Sequence, residues 1–377
     1  MSPGFRTLRQ SATRLLRTHY PGFLFGIPRS GPSCPVFCYH EVDQETFAGD
    51  LGFLAENGYR TLSTREFVEG GCPAGDGRAV LLTFDDAQRN FWEITFPLLR
   101  EFKARATVFA PTAWIEGGDG DAAHETQASP GTFMTWDQLR TCARSGLVDV
   151  HAHGHRHALV NVSRRLVGFA TPELVKRHHI YDWPVRYQGG RNQLGVPPLG
   201  TPVYQAAPLL SARFRVLEDE GPARACRDLV EQFGGEAFFT QPDAVARLGR
   251  VHAGAVGAGS RHRRVEGSDF EALVRAEFEQ SSELLRRQLG SASEFFAYPW
   301  MLGSDLSLRL AAEAGVRAVF GVGFDFRRAR RIGGPLVGFG RLKGDWLRFL
   351  PGRGRRRLRE VVPEKVKGFL LSQHLAH

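Results

Sequence analysis

The chain has 377 residues and is 42% hydrophobic, enough for one large α/β domain or two smaller ones, and no apolar run approaches the roughly 18 to 20 residues of a membrane-spanning helix. Its five cysteines, Cys34, Cys38, Cys72, Cys142 and Cys226, are odd in number, scattered and without a C-x-x-C pair, which argues against a disulfide framework or a structural zinc knuckle and fits a reducing compartment. The net charge of +9 sits in the flanks: residues 1–40 hold five arginines and no acid, residues 350–377 hold five arginines and two lysines against Glu360 and Glu364, and the body between is close to neutral.

In chain order, residues 1–30 read as a basic flank with a short apolar run, Pro21 to Pro28, broken by Pro and Gly and unlike a signal peptide. Pro35–Tyr39 reads as a strand, and Phe47–Asn57 as a helix ended by Gly58. Ala79–Phe84 is a strand, Phe91–Phe102 a helix, Ala106–Ala110 a strand, Trp136–Ser145 a helix stopped by Gly146, and Leu147–Val150 a strand. Residues 161–265 read as an insertion, with a Pro/Gly/aromatic passage of little periodicity and a helical pattern around Ala223–Phe233. Phe270–Leu289 is a long helix closed by Gly290, Phe295–Tyr298 a strand, Leu306–Ala314 a helix stopped by Gly315, and Ala318–Gly321 a strand. The expected architecture is α/β, with the barrel over 31–345 and a basic tail over 346–377.

In a parallel barrel, chemistry gathers on the loops after the strands. The residues there are His40, the pair Asp85 and Asp86, Pro111 and Thr112, the run HAHGHRH from His151 to His157, and Pro299 with Trp300 after Tyr298. Adjacent aspartates at a strand end suit either a helix N-cap for the following helix or a catalytic cleft. Four histidines in seven residues, with the Asp pair, point to a metal site, since two neutral imidazoles and one carboxylate leave a position open for water. Both His151/His155 and His153/His157 have the spacing for it.

These segments resemble the polysaccharide deacetylase family, also called carbohydrate esterase family four or the NodB-homology domain. LTFDDA is similar to its T-F-D-D-G, MTWDQLRTCARSGLVDVHAHGHRHA to its T-W-x-Q-L…S-G-x-(V/I)-E-(I/V)-G-S-H-T-x-x-H-P segment, and EFFAYPW and CYHEV to the F-A-Y-P-Y-G and Y-H-x-(V/I) of one branch. The matches cover residues 35–160 and 268–322. The resemblance implies a distorted (β/α) barrel of seven or eight parallel strands, with Asp86, His153 and His157 holding a divalent ion, most simply zinc, and Asp85 as general base. It also implies substrate contacts at His40, Thr112, Tyr298, Pro299 and Trp300, with a backbone N–H near Tyr298 holding the oxyanion. Departures are Ala87 for Gly, Gly154 for Ser or Thr, Ala158 for Pro, and Trp300-Met301 for Tyr-Gly. The late general-acid histidine has no clear match; His40, His252 and Arg341 are candidates, and His178 and His179 read as surface residues.

The implied activity is a metal-dependent hydrolase removing N-acetyl groups from an amino sugar in an oligosaccharide, polysaccharide or glycolipid. The alternatives are hydrolysis of another amide or ester by the same site, or a silent carbohydrate-binding barrel. The insertion is expected over the mouth of the barrel, with Tyr181, Trp183, Tyr187 and Tyr204 as rings for sugar faces or for its own core. The basic flanks, interleaved with Leu, Phe and Val, suit peripheral contact with an anionic membrane in a cytoplasmic protein, against the plainer reading of solvated tails; nucleic acid is not expected as a partner.

Overall fold

The computed structural model describes residues 21–25, 34–70, 78–117, 126–259, 262–321, 330–333 and 336–357. Its framework begins with β1 (Val36–Tyr39), α1 (Gln44–Glu56), β2 (Arg60–Thr61), α2 (Thr64–Gly70), β3 (Ala79–Asp85), α3 (Phe96–Glu101), β4 (Ala106–Ala110), α4 (Trp136–Arg144) and β5 (Val148–Ala152). It then has β6 (Leu159–Phe169), β7 (Pro202–Pro208), α5 (Glu220–Gln232), α6 (Ala244–Gly257) and α7 (Gly267–Leu289). It closes with β8 (Phe295–Ala297), α8 (Asp305–Glu313), β9 (Ala318–Phe320), β10 (Arg330–Gly333), β11 (Leu336–Phe339) and β12 (Leu342–Lys343). The main sheet runs β10-β11-β9-β8-β5-β4-β3-β1-β12, with β2 beside β3. Every pairing in it is parallel except β10 on β11. Eight strands of the path are therefore parallel, and among the described residues no pairing joins its two ends, so the barrel is a curved, open one.

The alternation of side chains assigns the two faces. In β3 all seven residues are buried, as expected for a parallel strand covered on both sides. Val80, Leu82 and Phe84 join the large core beneath the helices, while Ala79 and Leu81 join a smaller core with Phe109, Phe295, Ala297, Ala318 and Phe320. The smaller core fills the barrel interior. Period two then puts Thr83 and Asp85 on the interior face as well. In β5, Val148 and Ala152 face the helices, so His151 and, one step past the strand, His153 fall on the inner side.

Local signals set the helix ends. Asp43 caps α1 by accepting from the Thr46 N–H at 2.9 Å. Thr135 and Gln138 form a reciprocal capping box on α4, a device worth about 1 kcal/mol. Gly290 ends α7 in the left-handed region at φ 84°. The helix expected over Phe91–Phe102 starts with a wider π turn, Phe91–Thr95, before α3. Neither aspartate caps it: Asn90 precedes the turn and spends its side chain on Val42, donating to its carbonyl at 3.1 Å and accepting from its N–H at 2.9 Å.

The passage of weak periodicity is not structureless. β6 and β7 form an antiparallel ribbon with two register shifts. Arg186–Gln188 pairs with Arg191–Gly195, which also pairs with Thr126–Gln127. α5 and α6 pack around Cys226, Val230, Phe238 and Leu248, forming a core of their own. At the other end, Leu347, Phe349 and Leu350 are fully buried, and Arg348 Nε donates to Asp50 at 2.7 Å. Arg355 donates to the Phe23 carbonyl, tying residues 21–25 to the same region. The stretch from 346 to 350 is thus part of the body instead of a solvated tail. Residues 1–20 and 358–377, with most of the basic flanks, and Cys72 lie outside the described residues. No described helix is long and apolar enough to cross a membrane.

Candidate active site

Asp85 is the last residue of β3, and its carboxylate turns inward. Arg341, just before β12, donates to it through both terminal nitrogens, at 2.6 Å to Oδ1 and 2.7 Å to Oδ2. Both side chains are almost fully buried. Burial alone would raise the Asp85 carboxyl, but the Arg341 guanidinium and the neighbouring imidazoles outweigh it and hold it well below the usual carboxylate range. The Cys38 thiol, on β1, lies 3.5 Å from the same Oδ2, and burial pushes it far up, so it stays protonated.

Asp86 follows in the left-handed region, φ 71°, and Ala87 shares it at 48°. That reversal swings Asp86 away from Asp85 and explains how adjacent carboxylates reach one cavity by different routes. A side chain with Cβ pays on the order of 1 kcal/mol per residue there. Asp86 Oδ1 lies 3.6 Å from His153 Nε2 and 3.6 Å from His157 Nε2. These are too long for hydrogen bonds, and this buried oxygen has no hydrogen-bond partner among the described residues.

His153 is oriented by the backbone. Its N–H donates to the Ala110 carbonyl at 2.9 Å, and its Nδ1 lies 2.8 Å from the Ala297 carbonyl. A carbonyl can only accept, so Nδ1 carries the proton and Nε2 offers a lone pair toward Asp86. His157, at φ 48°, stacks on the Tyr181 ring at 4.0 Å and lies 4.2 Å from the Trp300 ring. Burial lowers both imidazoles, His153 to about 4 and His157 well below its ordinary value, which keeps them neutral. Burial, then the Asp85 charge, raises Asp86; a cation among the three removes that penalty. The ligand atoms of Asp86, His153 and His157 lie within 4.8 Å of one another. Tetrahedral ligands at about 2.0–2.1 Å from zinc stand roughly 3.3 Å apart. The unpartnered Oδ1, the two neutral Nε2 atoms and their 3.6 Å spacings therefore fit a divalent ion.

The other two histidines of the run diverge once the strand ends. His151 stays on β5 with its ring between Phe109 and Phe295. His155 turns to Thr112, whose Oγ1 is 2.9 Å from its Nδ1. Glu277, buried on α7, holds this turn by accepting from the N–H groups of His155 at 2.9 Å and Arg156 at 2.8 Å, and from Arg156 Nη1 at 3.1 Å.

The cavity over the site has a volume of about 430 Å³ and is lined by Cys38, His40, Glu41, Asp85, Asp86, Gln88, His153, His157, His179, Tyr181, Asp182, Trp300, Met301 and Arg341. Of the expected substrate contacts, His40 and Trp300 line it. Thr112 is instead committed to His155 beneath the histidine turn. The Tyr298 ring packs against Phe278 and Phe296, and its N–H donates to the Phe320 carbonyl at 3.0 Å. The N–H of Tyr298 itself is therefore not available to an oxyanion, and Pro299 is buried outside the cavity lining. His179, read as a surface residue, faces the cavity. Of the three candidates for the acid, Arg341 is taken by Asp85, His252 is bonded to the Tyr204 hydroxyl at 2.8 Å, and His40 alone stands free over the cavity, 4.0 Å from Asp86 Oδ2. Sequence reasoning missed the Asp85 clamp and Glu277; neither belongs to a motif.

Comparison with known proteins finds matches over part of the chain. Residues 73–178 match the family described as Polysaccharide deacetylase. A 143-residue stretch, 35% of the chain, is 33% identical to the poly-beta-1,6-N-acetyl-D-glucosamine N-deacetylase of Escherichia coli, in strains K12 and O157:H7 alike. The match spans only 20% of those relatives' length. Among solved structures, a de-N-acetylase from Aggregatibacter actinomycetemcomitans shares the fold, with a TM-score of 0.50 at 16% identity over 85% of this chain and 97% of that one. An open parallel barrel with an Asp-His-His cluster at its mouth thus accompanies a segment, residues 73–178, that is similar to the polysaccharide deacetylase family.

Proposed function

We propose that the protein is a metal-dependent de-N-acetylase of an N-acetylated amino-sugar polymer, of the poly-N-acetylglucosamine class. The observation that carries the reading is the division of labour between adjacent carboxylates: Asp86 faces two neutral imidazoles, while Asp85 is ionised and held by Arg341. A divalent ion held by Asp86, His153 and His157 would supply Lewis acidity, acidifying a water and polarising the acyl oxygen. Asp85 would take the proton of the attacking water. Its low pKa weakens the drive for that transfer but guarantees the ionised form across the working pH range. Arg341 keeps its orientation fixed, and the His153 Nδ1–H bond to Ala297 keeps the ligand tautomer fixed. His40 is placed to protonate the departing amine. Tyr181 and Trp300 both pack on His157 and restrict the approach, and through Tyr181 residues 161–265 shape substrate choice over the mouth.

The test is release of acetate from acetylated glucosamine oligomers, before and after treatment with a chelator and after restoring zinc. Release that depends on the added ion is the expected result. Acetate release unaffected by exhaustive removal of metal would remove the metal-dependent reading, and no release from any acetylated oligomer would remove the activity.

A further inference from the structure

We propose a second saccharide-binding site within residues 161–265, which seats the acetamido group of another unit of the polymer acted on at Asp86. It rests on the deacetylase reading above. One strap of chain runs between the two places. His179, Tyr181 and Asp182 line the cavity of the active site. Of the next residues, Trp183, Pro184, Arg186 and Tyr187 line a separate cavity of about 50 Å³ walled also by Asn161, Tyr204 and Glu218. Six residues of extended chain span at most about 20 Å, so Tyr181, stacked on His157, and Tyr187, at the second cavity, lie within reach of one oligosaccharide.

Two of the residues that line the second cavity carry unmet hydrogen-bonding capacity of a particular kind. Trp183 is 4% exposed and Asn161 5% exposed, yet Trp183 Nε1 and Asn161 Oδ1 are buried without a partner. The Asn161 amide nitrogen is engaged by Glu218 Oε1, which leaves its oxygen as the open end. The indole N–H is a donor only, and the amide oxygen an acceptor only. Buried groups of this kind are ordinarily satisfied, by protein, water or ligand. An acetamido group supplies the complement, a carbonyl for the Trp183 N–H and an N–H for Asn161 Oδ1. A free ammonium has no acceptor for the indole, and an anion would face the Asn161 oxygen. The enclosed volume suits a substituent more than a sugar ring, and the ring has a place at the entrance on Tyr187, an aromatic residue that is 37% exposed. An aromatic platform beside polar side chains that fix orientation is the general build of a small-ligand site.

The experiment compares acetate release from an N-acetylglucosamine dimer and pentamer by the zinc-loaded protein and its Trp183→Phe and Tyr187→Ala variants. Trp183→Phe keeps a ring and deletes the N–H, and Tyr187 is partly exposed, so both variants should fold; melting curves check this. The expected result is a rise of about tenfold in KM for the pentamer, the scale of one lost hydrogen bond or stacking contact, with kcat unchanged and dimer kinetics untouched. Saturation-transfer NMR on the same proteins reads pentamer binding without turnover. It should show weaker transfer in each variant, and a fully de-N-acetylated pentamer should not compete. If the wild type binds the pentamer through Trp183 but releases no acetate, the activity reading fails and this site stands. If pentamer KM and NMR signal are the same in wild type and both variants, the cavity holds water only and the proposal is overturned.

Discussion

At the scale of single residues, the two aspartates separate into distinct measurements. His153→Ala and His157→Ala should lose most bound zinc, read by elemental analysis of the purified protein. His151→Ala should keep it, because its ring packs on Phe109 and Phe295. His155→Ala should also keep it, at a cost in stability from the lost Thr112 contact. Asp85→Asn should retain the ion and lose about 10² to 10⁴-fold in turnover. Arg341→Met tests the clamp. Without the guanidinium the Asp85 carboxyl rises toward the value burial imposes, so the acid limb of the pH–rate profile should move to higher pH. The variant should also be less stable by roughly 3–5 kcal/mol, because one member of a buried pair remains. An unmoved acid limb in a folded Arg341→Met protein would show that Asp85 is not the group whose ionisation the rate reports.

At the scale of elements, the long helix α7 carries a buried carboxylate, and the insertion a half-buried one, each with a structural task. Glu277 collects three N–H donors of the histidine turn. Glu277→Gln should therefore weaken zinc binding without removing a ligand, and destabilise the protein by about 1–3 kcal/mol; unchanged zinc affinity would confine its role to folding. Glu218 is pushed up to about 7, chiefly by burial. Its folded-state pKa exceeds the ordinary value, so the folded chain holds an extra proton between about 4.5 and 7, and the group's contribution to stability falls as pH rises through that window. Glu218→Gln should flatten the decline, as measured by melting temperature against pH. The framework strands were readable because buried parallel strands are continuous apolar runs and because Gly58, Gly146, Gly290 and Gly315 end their helices. The strand pairs of the insertion were not, since Arg186–Gln188 and Arg191–Gly195 are short, polar and joined through Gly189-Gly190, without the alternation that marks a half-buried strand.

At the scale of the whole molecule, the candidate ion ligands are legible only through the resemblance, which favours one of two histidine pairs that spacing alone leaves equal. Gly154 and the left-handed His157 supply the physical reason, by ending the strand's alternation before His155 can share the face of His153. What sequence could not show is what the tertiary fold assembles. Thr112, Tyr298 and Pro299 follow strands as the barrel rule asks, yet the Thr112 hydroxyl and the Tyr298 N–H are spent on the scaffold and Pro299 is buried in it, and a strand end reveals nothing about where a side chain finds its partner. Hydrogen exchange should mirror this division: amides of β3 and β4, buried on both faces, should exchange most slowly, and those of Arg186–Gly195 much faster. Comparable protection in both regions would mean that the insertion and barrel open as one cooperative unit.

The Asp85–Arg341 pair spans 256 residues of sequence, and this sets an order on how the protein is made. Asp86, His153 and His157 have all left the ribosome while Arg341 is still untranslated, so a nascent chain can present all three candidate ligands long before Asp85 has a counter-charge. If those three residues hold an ion, its capture and the clamping of Asp85 are separate events in biosynthesis. A chain that ends before Arg341 would be expected to hold zinc while Asp85 still lacks its counter-charge.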